Sequence, residues 1–122
     1  ACYKARAEAV RHAEVYRGAF AISVCPSENV ESPTIVGAQA ANELLNIIGI
    51  KASFVLTEYN GKIYISSRSI DEINVQLIME RLGGGGHLNV AGAQLKDCTI
   101  VQAKHAIMDT LDEMLKEGDI QE

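Results

Sequence analysis

Cysteine, proline, aromatic side chains and positive charge are all scarce in this sequence, and tryptophan is absent. The three cysteines, Cys2, Cys25 and Cys98, are odd in number, far apart and form no CxxC pair. That argues against a disulfide framework or a thiolate zinc site and fits a reducing cytoplasm. With four tyrosines and two phenylalanines, the chain is short of the stacking platforms that line a long single-strand groove. Eleven basic residues against sixteen acidic ones leave a formal charge of −5. This balance disfavours broad attachment to nucleic acid or to an anionic membrane, but allows a local basic site. No apolar run approaches the ~20 residues that span a bilayer, and the start ACYKARAEAV lacks the hydrophobic stretch of a secretory signal. A cytoplasmic domain with no direct membrane contact is the expectation.

What is present is a chain of 122 residues, 48% of them hydrophobic, which suits one domain over 1–122 with a real core. Ala5, Ala9, Ala13 and Tyr16 recur at helical spacing and predict a helix over 2–17, stopped by Gly18. AFAISVC, short, apolar and followed by proline, reads as a buried strand. Ser32 and Pro33 suit the N-cap and first residue of a helix running through Leu44, Leu45, Ile47 and Ile48 to a stop at Gly49. Asn60 and Gly61 mark a two-residue hairpin turn. On its second strand, period two separates Ile63, Ile65 and Ser67 from Tyr64, Ser66 and Arg68.

A short helix starts at Asp71 or, the preferred reading, is capped by Asn74, with a buried stripe of Val75, Ile78, Met79 and Leu82. VAGAQL reads as a strand, and Thr99 with Gln102 forms a capping box for a last helix carrying Ile100, Ile107, Met108, Leu111, Met114 and Leu115. The end EGDIQE is expected to fray. The predicted order α-β-α-β-β-α-β-α makes an α/β fold, a single domain with a mixed β-sheet of about four to five strands flanked by helices.

One stretch resists this ordinary reading: RLGGGGHLNVAGAQL, where four glycines precede a histidine. Gly83 suffices to close the helix. Each further glycine costs roughly 0.5–1 kcal/mol relative to alanine, so Gly84, Gly85 and Gly86 need a compensating purpose. They match neither a P-loop nor a dinucleotide fingerprint. What remains is a run of free N–H groups suited to an anion such as phosphate. His87 follows directly and can donate to a phosphate oxygen. Arg68, in SSRS near a strand end, can clamp phosphate with two parallel hydrogen bonds, and its serine neighbours add hydroxyls. His12 and His105 read as solvated helix residues. No Ser-His-Asp or Cys-His arrangement is apparent, and no Asp/His cluster stands ready for the metals that commonly cleave phosphodiesters.

ISSRS followed by NVQLIMERLGGGGHLNVAGAQL resembles the C-terminal, substrate-binding domain associated with DHH phosphoesterases, over essentially the whole chain. Together with ESPTIVGAQAANELLNIIGIKASFVL, the wording is most similar to the GdpP-type branch, the cyclic-di-AMP phosphodiesterases. Oligoribonucleases and RecJ-like single-strand exonucleases are other members and supply the alternative reading, a nucleic-acid-binding module. The resemblance implies that an upstream DHH domain carries two metal ions, usually manganese, and the chemistry, with no cofactor in this domain. It implies that Arg68 and the loop of Gly84, Gly85, Gly86 and His87 grip the nucleotide, with Ser66, Ser67 and Asn89 as weaker substrate contacts. No catalytic residue and no metal ligand is expected in this chain. Its partners would be cyclic-di-AMP or a short oligonucleotide and the DHH domain of the same protein, with a homodimer left open. The chain would then be a fragment of a longer, membrane-anchored protein, inactive in hydrolysis by itself.

Overall fold

The structure is a computed structural model that describes residues 2–28, 30–71 and 73–121. Asn29, in the loop expected after Cys25, and Glu122, at the end expected to fray, lie outside the described residues. Helix α1 (Cys2–Arg11) is followed by strand β1 (Glu14–Tyr16) and strand β2 (Phe20–Val24). The helix predicted over 2–17 is therefore too long by six residues. Arg17 and Gly18 take φ of 52° and 74°, reversing the chain so that Tyr16 pairs antiparallel with Phe20. The alanine spacing missed this because a distant partner holds the segment: the Tyr16 hydroxyl donates to Asp112 at 2.7 Å, 96 residues away.

Helix α2 (Pro33–Leu44) leads into strands β3 (Ala52–Tyr59) and β4 (Lys62–Ser69). Pro33 occupies the first turn, but Ser32 caps it without a side-chain hydrogen bond. The helix stops before Ile47 and Ile48, contrary to expectation, and Ile48 is fully exposed. The Asn60-Gly61 turn is as read, with φ of 52° and 75° and Tyr59 facing Lys62. Helix α3 (Val75–Arg81) is capped by the Asn74 side chain, which accepts from Leu77 N. Strands β5 (Gly85–Gly86) and β6 (Val90–Lys96) precede helix α4 (Ile100–Glu117), whose Thr99/Gln102 capping box is complete.

The α/β class and the mixed sheet stand as expected, with two more short strands than the predicted order contains. The sheet runs β1-β2-β3-β4-β6-β5. Only β2 and β3 are parallel, joined across the sheet by α2, and every other neighbouring pair is antiparallel. Two apolar clusters sandwich it. One face carries Phe20, Phe54, Leu56, Ile63 and Ile65 against Ile78 and Met79 of α3 and Ile107, Leu111 and Met114 of α4. The other carries Ala21 and Val55 against Ala5 and Ala9 of α1 and Val36, Ala40 and Leu44 of α2. The tail does not fray at Ile120, which is buried in the first cluster. Arg81 ties α3 to that end by ion pairs of 2.7 Å to both Glu117 and Asp119. The second helix layer covers β2 and β3, and β4 and β6 stay partly open on that side.

Candidate phosphate-binding site

The glycine run is built into the sheet edge. Gly83 takes φ of 85° and closes α3, its N–H donating to Glu80 O at 3.1 Å while that of Gly84 reaches back to Met79 O at 2.8 Å. The chain then pairs antiparallel with β6, Gly85 opposite Gly92 and Gly86 opposite Ala91. A Cβ on Gly84 would collide with Gly92 O, and one on Gly86 would lie 2.6 Å from Ala91 Cα. This corrects the expectation of a run of free amides. Among these N–H groups, those of Gly83, Gly84 and His87 are all bonded within the chain. Close backbone approach is what requires glycine at 84 and 86, and side chains could not enter there.

The expected convergence of the strand end and the loop is present. Arg68 stands opposite Val90 in the β4–β6 register, and His87 N donates to Val90 O at 2.7 Å. Arg68, Val90 and His87 thus form one row across the sheet, with the outer two separated by two strand spacings, about 10 Å. The His87 residue is exposed, and its ring makes no hydrogen bond among the described residues.

Arg68 differs from the other arginines. Arg6 pairs with Glu43, Arg11 with Glu8, Arg17 with Asp112 and Arg81 with Glu117. Arg68 meets no carboxylate among the described residues and donates only to the neighbouring Ser67 O, at 2.9 Å. It is partly buried, and that burial pushes its pKa below the ordinary guanidinium value. A partly desolvated cation with no counter-charge among the described residues, in a chain of net charge −5, can take an anion from solution.

The serines divide by face. Ser66 shares the open side with Arg68. Ser67 does not reach the site: it is fully buried on the core side, and its hydroxyl donates to Ser53 O at 3.0 Å. Ser69, the other serine beside Arg68, is also buried and donates to Ile73 O at 2.6 Å. Asn89 braces the loop, its amide donating to Ser69 Oγ at 2.9 Å.

Sequence reasoning overlooked a groove of about 480 Å³ beside this row, lined by Thr34, Tyr64, Ser66, Gly84, Gln94 and Lys96 among others. Extending the period-two face of Tyr64, Ser66 and Arg68 onto the next strand would have found it. Among the described residues, no three His, Cys, Asp or Glu side chains gather as a metal site requires.

Residues 19–117 match the DHHA1 domain, and the chain belongs to that family. It is 44% identical over 108 residues to the cyclic-di-AMP phosphodiesterase PdeA of Listeria monocytogenes, covering 88% of this chain and 16% of that protein. With the cyclic-di-AMP phosphodiesterase GdpP of Bacillus subtilis it shares 36% identity over 118 residues, 95% of this chain and 18% of that one. The chain therefore spans less than a fifth of these relatives. Among solved structures, an exopolyphosphatase-related protein from Bacteroides fragilis superposes with a TM-score of 0.80 at 22% identity, covering 93% of this chain and 34% of that one. The C-Ala domain of Aquifex aeolicus alanyl-tRNA synthetase superposes at 0.59 with 20% identity, covering 81% of this chain and 96% of that domain. These two likenesses concern the fold alone.

Proposed function

We propose that this chain is the nucleotide-binding domain of a phosphodiesterase that hydrolyses cyclic-di-AMP to linear pApA. The observation that carries the reading is Arg68, the arginine that meets no carboxylate among the described residues, in one row with His87 at the glycine hairpin. The names of the relatives supply the substrate class. In this reading Arg68 binds and orients a phosphate through paired N–H donors, and His87 donates to another of its oxygens. The glycine hairpin keeps the approach to both clear of side chains. Ser66 adds a hydroxyl on the same side.

The hydrolytic metals, two manganese ions in this proposal, belong to an upstream DHH domain of a membrane-anchored parent. The described residues of this chain do not fit them, since no donor cluster is present. Among those residues, no helix is long and apolar enough to cross a membrane.

The test is calorimetric titration of the chain with cyclic-di-AMP and with pApA, alongside Arg68→Ala and His87→Ala. Binding that both substitutions abolish supports the assignment, and binding that neither alters defeats it. Affinity that climbs steadily with oligonucleotide length would instead favour the module of an oligoribonuclease or single-strand exonuclease.

A further inference from the structure

The groove beside the phosphate row has a composition of its own. Tyr64 faces Gln94 and Lys62 faces Lys96 across β4 and β6, all four on the side of the sheet that carries Arg68. Tyr59 joins them, its ring centroid 6.4 Å from that of Tyr64 and tilted by 50°. Two of the chain's four tyrosines therefore meet on this one patch.

Like charges directly opposite one another on adjacent strands repel. Neither Lys62 nor Lys96 has an ion-pair partner among the described residues, whereas Lys104 is paired with Glu14 at 2.7 Å. An acidic domain thus keeps an aromatic surface and two unneutralised cations together, the combination that favours a nucleotide over other anions. The groove's volume of about 480 Å³ falls within the range of small-molecule sites. Along β4, Tyr64 lies four residues from Arg68, about 13 Å, within the reach of one nucleotide from phosphate through sugar to base.

We infer that Tyr64 and Gln94 form a base subsite selective for adenine, occupied by the nucleotide whose phosphate sits at the Arg68–His87 row. The Tyr64 ring stacks on the base. The Gln94 amide offers one donor and one acceptor, which complement the N6 and N7 positions of adenine. Guanine presents two acceptors at that edge and leaves the amide mismatched. Lys62 and Lys96 raise the local positive potential without reading the base. The inference rests on the phosphate-binding reading of Arg68 and His87.

The test is an NMR titration of the isotopically labelled chain with inorganic phosphate, adenosine 5′-monophosphate and guanosine 5′-monophosphate. Phosphate is expected to move the backbone signals of Gly85, Gly86, His87 and Arg68 alone. The adenine nucleotide should also move Tyr64 and Gln94 and bind more tightly than the guanine nucleotide. Tyr64→Leu should weaken the adenine nucleotide about tenfold and leave phosphate untouched. Gln94→Leu should erase the adenine preference, and Lys96→Gln should weaken both nucleotides alike. A phosphate response with no base response, or an adenine preference that survives Gln94→Leu, overturns this inference and spares the phosphate reading. Silence at Arg68 and His87 toward every probe overturns both.

Discussion

Strand β4 has two faces with opposite fates. On one, Ile63, Ile65, Ser67 and Ser69 are buried, and both serine hydroxyls are spent on carbonyl oxygens at 3.0 and 2.6 Å. On the other, Tyr64, Ser66 and Arg68 are half-buried, and the guanidinium meets no carboxylate among the described residues. The first face follows the rule that buried polar groups are satisfied. The second leaves the guanidinium with a single carbonyl partner, Ser67 O, among the described residues. A slip of one residue in register would exchange the two faces, so the pairing of β4 with β3 and β6 is what keeps Arg68 out of the core.

Substitutions can break that division. Ile65→Ala removes a fully enclosed side chain from the core face and should cost about 3–4 kcal/mol, read as a lower urea midpoint. Gly84→Ala should follow at about 2–3 kcal/mol in the same measurement, because the new methyl would lie 2.7 Å from Ala93 Cα. Arg68→Ala should leave the urea midpoint nearly unchanged while weakening nucleotide binding by about 1.5–3 kcal/mol, the worth of a charge-assisted hydrogen bond. If Arg68→Ala lowered the midpoint as much as Ile65→Ala, the two faces would not be separate in function.

Arg81→Ala should have the smallest effect, because its ion pairs are solvent-exposed. Its signature is pH dependence. The hydrogen bond from Arg81 holds the Glu117 carboxyl below its ordinary pKa. A depressed carboxyl stabilises the fold above its unfolded pKa, and that contribution disappears as pH falls through the folded value. Melting temperatures of the wild type and Arg81→Ala should therefore differ slightly at neutral pH and converge in acid.

Elements governed by chemistry within a few residues were legible from the sequence. The Asn60-Gly61 turn, the Asn74 cap, the Gly83 stop and the Thr99/Gln102 box each depend on hydrogen bonds or φ values within one turn of chain. Strand β1 was not legible, because Tyr16 is held by Asp112 on α4. The pairing of Ser67 with Ser53, and of Asn89 with Ser69, likewise spans elements. Both residues looked as available as Ser66 until the packing assigned them.

The sequence by itself determined the α/β class, the alternation that sets Arg68 apart from the isoleucines, and the family to which the chain belongs. Only the tertiary structure decided why there are so many glycines. Positions 84 and 86 lie against β6, where a Cβ would strike backbone atoms, and that contact joins segments whose approach no local rule specifies. Tertiary structure also put Arg68 in one row with His87 and left the guanidinium without a carboxylate among the described residues. Charge neutralisation depends on distances in space, which spacing along the chain does not encode.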